Sequence, residues 1–75
     1  SGRMTPKRLL ADMEENMQQA IQRLPEKTRI VYCMAKEEYM SYKQISEALD
    51  ISERTVNTHM TTAIRKLTES LQKYF

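Results

Sequence analysis

Hydrogen-bonding side chains recur along one face of the segment from residue 53 to residue 66. At about 100° per residue, this face of a helix carries Arg54, Thr55, Thr58, Thr62 and Arg65. Four further residues flank the face: Asn57, His59, Thr61 and Lys66. No acidic residue lies between Glu53 and Glu69. A helix fits the major groove of DNA, where such groups can contact base edges and phosphates. The pattern therefore predicts a DNA-binding face, because an ordinary solvated face tends to be rich in Glu–Lys pairs.

Two kinds of DNA contact are predicted from this face and from the segment that precedes it. The residues expected to reach base edges are Glu53, Arg54, Asn57, Thr58, His59 and Thr62. The residues expected to bind phosphates are Ser41, Tyr42, Lys43, Thr55, Arg65 and Lys66. Base contacts would supply sequence specificity, whereas phosphate contacts would set the register of the protein on the duplex.

The opposite face of the same segment is apolar, which predicts a helix surface buried in a core. This face consists of Val56, Met60, Ala63, Ile64 and Leu67. Ser52 is suited to the N-cap of this helix, and Ser41 and Gln44 have the spacing of a capping box for a helix before it. Asp50 can end that earlier helix in left-handed backbone. Two helices joined by a short turn predict a helix-turn-helix over residues 41–67.

The preceding residues predict two helices that brace the helix-turn-helix. Thr5 and Pro6 suit the N-cap and first position of a helix, whose apolar stripe is Leu9, Leu10, Met13, Met17, Ala20, Ile21 and Leu24. Pro25 interrupts that helix and starts the next, whose expected buried face is Ile30, Val31, Tyr32, Met34 and Ala35. The prediction is one all-α domain over 1–75, a compact four-helix fold ending in the helix-turn-helix. Its helices are expected at about 6–23, 25–37, 41–49 and 53–72.

Composition narrows the classes of protein to which the chain can belong. With 75 residues it forms one small domain. No apolar run is long enough to cross a bilayer, so no membrane insertion is expected. The lone Cys33 excludes an internal disulfide, and with only His59 beside it a structural zinc site is excluded too. We expect Cys33 to be a buried, reduced thiol, the protein to be cytoplasmic, and the chain to hold no metal and no cofactor.

No arrangement of residues in the sequence predicts catalysis. His59 has no nucleophile and orienting acid at a fixed spacing. The single glycine, at position 2, excludes a glycine loop that cradles phosphates. The chain is therefore predicted not to be an enzyme.

Three strings of the sequence resemble the C-terminal promoter-recognition domain, region four, of bacterial sigma factors, and most closely the extracytoplasmic-function group. The strings are LPEKTRIVY, EEYMSYKQISEALDIS and RTVNTHMTTAIRKL, and the resemblance covers roughly residues 15–72. The matching positions are Leu24-Pro25, Arg29, Val31-Tyr32, Ser41-Tyr42, Ile45, Leu49, Ile51-Ser52, Thr55-Val56, His59, Ala63 and Leu67. The chain departs from the family pattern with Gln44 in place of Glu and Ser46 in place of Ala. Tyr39 and Asp50 stand where glycine is common.

This resemblance implies a function and a set of partners. Such a domain recognises the minus-35 element of duplex promoter DNA with its last helix during transcription initiation. It also docks on the flap of the β subunit of core RNA polymerase, and an anti-sigma factor often masks it. The resemblance further implies that the chain is a fragment of a longer sigma factor.

Two alternatives remain open at this point. The output domain of LuxR-type regulators shares an Ile-Ser-x-x-Thr-Val-x-x-His pattern and a later Lys-Leu, matched here by Ile51-Ser52, Thr55-Val56, His59 and Lys66-Leu67. The Leu24-Pro25 pair, Ala63 and the long helix before Pro25 favour the sigma resemblance. The other alternative is a protein-interaction module, in which the Met-rich stripe of the first helix binds a partner and the basic helix is incidental.

Overall fold

Residues 5–75 are described by the computed structural model, and they contain four α-helices and a terminal 3-10 turn. Helix α1 spans Pro6–Gln22, α2 spans Glu26–Lys36, α3 spans Tyr42–Leu49 and α4 spans Glu53–Leu71. The 3-10 turn occupies Gln72–Tyr74. No strand occurs in this range, and the predicted all-α fold ending in a helix-turn-helix is confirmed. The first four residues of the predicted domain lie outside the described range.

The ends of α1 and α2 follow from the residues that flank them. The Thr5 side chain caps α1 by accepting a hydrogen bond from the backbone N–H of Arg8 at 3.3 Å. Pro25 occupies the N-cap position of α2, one residue before the helix begins, instead of lying inside the helix as predicted. Because proline has no backbone N–H, it ends one helix and precedes the next without leaving a donor unsatisfied.

The predicted caps of the helix-turn-helix are confirmed. The Gln44 N–H donates to Ser41 Oγ at 3.1 Å, and the Ser41 N–H donates to Gln44 Oε1 at 2.9 Å, which completes a capping box. Helix α3 ends at Asp50, whose backbone is left-handed with φ 54° and ψ 49°. The Thr55 N–H donates to Ser52 Oγ at 3.0 Å and starts α4. These local bonds fix where α3 stops and α4 begins.

A second left-handed residue lies between α2 and α3. Tyr39 has φ 56°, and its side chain is 87% exposed. A residue with a Cβ atom adopts this conformation at a cost of roughly 1–2 kcal/mol. Tyr39 and Asp50 are the two positions that the sequence resemblance marked as commonly glycine, and both have the backbone that glycine adopts most easily.

Helix α4 is the centre of the packing, because it contacts α1, α2 and α3. The core consists of Ala20, Ile21, Leu24, Val31, Tyr32, Ile45, Val56, Met60, Ala63 and Leu67. Partly buried residues that pack against the core include Met17, Leu49 and Ile51. Ile51, in the turn between α3 and α4, is half-buried.

The predicted apolar faces were too wide, and three of their members are exposed. Leu10 is 61% exposed, Ile30 is 40% exposed and Ile64 is 49% exposed. Each of these residues lies at the edge of the apolar face of its helix, where no neighbouring helix covers it fully. An amphipathic face predicted from periodicity alone includes such edge residues whether or not a neighbour reaches them.

The C-terminal end of the chain packs along α1, which runs antiparallel to α4. The Ser70 hydroxyl and the side-chain amide of Asn16 form a hydrogen bond of 2.7 Å. The Tyr74 hydroxyl donates to the Asp12 carboxylate. The α1 and α4 pair extends beyond the two shorter helices, and the molecule measures 53 × 19 × 17 Å.

The single cysteine lies in α2 and is half-buried. Burial raises the pKa of the Cys33 thiol, and the nearby Glu37 carboxylate raises it further. The group therefore stays a neutral thiol near pH 7, and a raised pKa disfavours the reactive thiolate.

The hydrogen bond between Tyr74 and Asp12 predicts a specific loss of stability in alkali. This bond, with burial, raises the pKa of Tyr74 from 10.0 to about 12. Tyrosine must lose its donated proton to ionise, so the stabilisation is complete below pH 10 and is lost as the pH rises towards 12. At pH 8 the parent chain should therefore have a higher free energy of unfolding in urea than the Tyr74→Phe variant. The difference between the two chains should shrink as the pH rises towards 12. Tyr39→Phe, at an exposed tyrosine, is the matched control. A difference between parent and Tyr74→Phe that does not change with pH would contradict the prediction.

Candidate nucleic-acid interface

Two opposite stripes run along α4. Residues spaced i, i+4, i+7 and i+11 share one side of a helix, and the buried stripe with this spacing is Val56, Met60, Ala63 and Leu67. A shift of two residues, about 200°, gives the stripe Arg54, Thr58, Thr61 and Arg65, all of which are exposed. The predicted division of α4 into a hidden apolar side and an accessible polar side is confirmed. We call the exposed set the outer stripe.

The predicted base-contacting residues divide into two groups by exposure. Glu53, Arg54, Asn57 and Thr58 are exposed, whereas His59 and Thr62 are half-buried. The exposed group lies in the first two turns of α4, the part of a recognition helix that contacts base edges in helix-turn-helix proteins. The Thr58 hydroxyl donates to the Arg54 carbonyl oxygen at 3.1 Å, so its oxygen remains available as an acceptor.

The half-buried residues, His59 and Thr62, belong to a third stripe at the edge of α4. This stripe also contains Thr55 and Lys66, which are exposed. Hydrogen bonds within the fold occupy part of this edge stripe. The hydroxyls of Thr55 and Ser52 lie 2.9 Å apart. His59 Nδ1 and the Thr28 hydroxyl also form a hydrogen bond of 2.9 Å. The edge stripe therefore serves packing as well as presenting groups to the surface.

The bond between Thr28 and His59 fixes the imidazole ring and joins α2 to α4. Thr28 is 4% exposed and is the buried polar residue of the described core. When the hydroxyl donates to Nδ1, Nε2 of the neutral ring carries the proton and is a donor. His59 is therefore held by a partner on α2, and any DNA contact it makes would use the other side of the ring.

All six predicted phosphate-binding residues are exposed: Ser41, Tyr42, Lys43, Thr55, Arg65 and Lys66. Three of them lie at the start of α3 and one in the first turn of α4, where helix dipoles and backbone N–H groups favour anions. The Ser41 hydroxyl already accepts the capping bond. Arg65 Nη1 lies 3.2 Å from Glu69 Oε1, with both side chains exposed. Such a surface pair contributes little, so a phosphate could replace the carboxylate.

The outer stripe contains Thr61, which helical periodicity predicted only at the flank of the DNA-binding face. Thr61 is exposed in the same row as Arg54 and Thr58, whereas Thr62 is half-buried. The predicted apolar face of α4 included Ile64, and this placed the centre of that face too close to Thr61. As a result, Thr62 was predicted to be more accessible than Thr61. The spacing i, i+4, i+7 from Arg54 places Thr61, not Thr62, on the same side of α4 as Arg54 and Thr58. The contacts of individual side chains with DNA stay predictions.

Other kinds of site are not formed by the described residues. Within residues 5–75, no three His, Cys, Asp or Glu side chains come close enough to hold a metal ion. The helices of this range also lack the combination of length and apolar composition needed to cross a membrane.

The chain matches a known family over most of its length. A family model described as Sigma-70, region 4, matches residues 14–67. This range is more than half of the chain and contains α2, α3, the helix-turn-helix turn and the first fifteen residues of α4. No curated protein matches the chain. The match favours the sigma resemblance over the LuxR-type alternative.

Removing the Thr28 hydroxyl should destabilise the fold without changing its volume much. Thr28→Val leaves His59 Nδ1 without its partner, which should lower the free energy of unfolding by about 1 kcal/mol, since water can reach a half-buried ring. Thr28→Ser keeps the hydroxyl that bonds to His59, so it should lower the free energy of unfolding by less than Thr28→Val does. Urea unfolding measures the effect, with Thr68→Val at an exposed position of α4 as the matched control. Equal stability of Thr28→Val and the parent would show that the bond contributes nothing.

Proposed function

The chain belongs to the family of sigma-70 region 4 domains, and we propose that it is the minus-35 recognition domain of an extracytoplasmic-function sigma factor. Region 4 is the DNA-binding helix-turn-helix domain through which a sigma factor contacts the promoter and RNA polymerase in transcription initiation. The extracytoplasmic-function assignment is supported by the three matching strings of the sequence. The observation that carries the proposed DNA contact is the exposure of the outer stripe directly opposite the core.

The proposed complex has the N-terminal half of α4 in the major groove. Arg54 and Thr58, with Asn57 beside them, would contact base edges, because all three are exposed in the first two turns. A bidentate arginine contact with guanine contributes roughly 1–3 kcal/mol of discrimination. Glu53 could accept a hydrogen bond from a cytosine amine. Thr61 extends the same row by one turn and is the further base-contact candidate that the structure adds.

The proposed phosphate contacts lie on either side of that helix. Tyr42 and Lys43 are exposed at the start of α3, the helix that crosses the DNA backbone in helix-turn-helix complexes. Arg65 and Lys66 are exposed on the later turns of α4. These groups would set the position of α4 in the groove without distinguishing between sequences.

A second surface supports the proposed contact with RNA polymerase. An open groove has an apolar lining of Leu10, Met13, Met17 and Leu71, with Glu14 and Glu15 at its sides. The groove lies along α1 and the C-terminal end of α4, away from the first turns of α4 that would contact DNA. We propose that the β-subunit flap occupies this groove while α4 binds the promoter. An anti-sigma factor could act by covering either surface.

The proposed function also agrees with the expected location of the protein and with the expected lack of catalysis and cofactors. Promoter DNA and polymerase occur together in the cytoplasm, which is the proposed location of the protein. No catalytic step and no cofactor form part of the proposal. The protein-interaction alternative rests on the same apolar groove and differs in assigning no role to the outer stripe.

Substitutions at Arg54 and Lys66 should have different effects on DNA binding. Arg54→Ala should lose about 1–3 kcal/mol on the preferred sequence and relax the preference at one base pair. Lys66→Ala should weaken binding to all sequences alike and reduce the salt slope by about 1. Titrations of a panel of single-base duplex variants across salt concentrations measure both effects. Thr61→Val should weaken binding more than the matched change Thr62→Val.

Two results would contradict this assignment of the DNA-binding face. One is a titration in which neither the Arg54 nor the Lys66 substitution changes affinity or salt dependence. The other comes from selection of bound sequences from a random duplex pool. An unsymmetric element supports a monomeric sigma domain, whereas an inverted repeat would point to a dimeric regulator.

Polar substitutions in the apolar groove should separate polymerase binding from DNA binding. Leu10 is 61% exposed, so Leu10→Gln should leave the fold and the duplex titration unchanged. Capture of core RNA polymerase by the Leu10→Gln chain should fall, because the groove would lose apolar surface. Ile30→Gln on α2, where the side chain is 40% exposed, is the control and should capture polymerase like the parent. Unchanged capture by Leu10→Gln would exclude the groove as the docking surface.

A further inference from the structure

We propose that Arg23, which lies outside the helix-turn-helix, forms a second phosphate-binding site on the duplex together with Lys66. The inference rests on the proposed function and adds to it a residue from the end of α1. It concerns the DNA backbone alone and assigns no base contact to Arg23.

The two cationic side chains line one shallow depression where the end of α1 meets α4. The depression is lined by Ala20, Arg23, Leu24, Lys66 and Ser70. Ala20 and Leu24 are buried and form its floor, whereas Arg23 and Lys66 are exposed. The antiparallel packing of α1 against α4 thus brings together two cations that are far apart in sequence.

The charge of this depression is uncompensated in the described part of the chain. Neither Arg23 nor Lys66 takes part in an ion pair there, and no acidic residue lines the depression. Glu69, the acid nearest to Lys66 along α4, pairs instead with Arg65 at 3.2 Å. Two neighbouring cations without acidic partners repel each other, and a bound anion would relieve that repulsion.

The acidic residues of α1 lie towards the other end of the same helix pair. Asp12 and Glu15 line a separate depression with Lys73 and Tyr74. These acidic side chains therefore lie away from Arg23 and Lys66, in a depression where they are mixed with the cation Lys73. The local positive charge of Arg23 and Lys66 attracts a polyanion. The outer stripe, exposed on the same helix as Lys66, favours duplex DNA as that polyanion.

The position of Lys66 on α4 also favours a DNA phosphate. Lys66 is the last member of the edge stripe, roughly 16 Å along the helix from Thr55. The major groove is about 12 Å wide, so a helix whose first turns lie in the groove reaches the backbone at the groove edge within that length. Arg23 lies beside Lys66 at that point, and the guanidinium group suits bidentate contact with phosphate oxygens.

The test measures the salt dependence of duplex binding by the full chain. Each phosphate contact contributes about 0.9 to the slope of log K against log salt concentration. Arg23→Gln and Lys66→Gln should each lower the slope by about 0.9, and the double variant by about 1.8. Arg23→Lys keeps the charge and should retain most of the slope. Lys7→Gln at the far end of α1 is the matched control and should bind like the parent.

Three other outcomes would overturn the role of Arg23, and they distinguish failure of this inference from failure of the proposed function. A normal slope for Arg23→Gln, beside a reduced slope for Lys66→Gln, would overturn the role of Arg23 and leave the proposed function intact. Weaker capture of core polymerase by Arg23→Gln, with normal duplex binding, would assign the depression to a protein partner and also overturn the inference. Absence of salt-sensitive duplex binding in the parent chain would overturn the proposed function itself, and this inference with it.

Discussion

Burial of a single stripe of α4 is the constraint on which the rest of the structure depends. Val56 and Ala63 are fully buried, and Met60 and Leu67 are nearly so. Burying a large apolar side chain contributes about 1.5–3 kcal/mol relative to leaving it exposed. A rotation of α4 by half a turn would remove these contacts and place the charged Arg54 in the core. Because α1, α2 and α3 all pack on this helix, the core also determines which side of α4 faces outward.

The short connections before and after α3 hold this helix in place against α4, the other helix of the DNA-binding motif. The capping box at Ser41 and the caps at Asp50 and Ser52 define both ends of α3 and the start of α4. Two of the connecting residues, Tyr39 and Asp50, hold left-handed backbone at a cost of roughly 1–2 kcal/mol each. The burial of α4 and α3 in the core offsets this cost and keeps the motif in one arrangement.

The elongated pair of α1 and α4 separates two surfaces of different chemistry. Near the helix-turn-helix the pair carries Arg23 and Lys66, and the adjoining outer stripe is polar and basic. At the far end it carries Asp12 and Glu15 beside the open apolar groove of α1. In the proposed function, the domain would bind DNA at one end and an apolar surface of polymerase at the other, without the two partners competing for the same side chains. This division suits a protein that must hold DNA and polymerase together.

The sequence by itself determined the helical class, the caps, the left-handed Asp50, the central stripe of the core and the family. These features depend on residues within about four positions of each other or on a simple period, so they are readable without knowing the fold. Only the tertiary structure decided that Ile30 and Ile64 are exposed, that Thr61 is more accessible than Thr62, and that His59 bonds to Thr28 on another helix. It alone brought Arg23 beside Lys66. Each of these outcomes depends on which helix end reaches which neighbour, and periodicity along one helix carries no information about the length or position of the next.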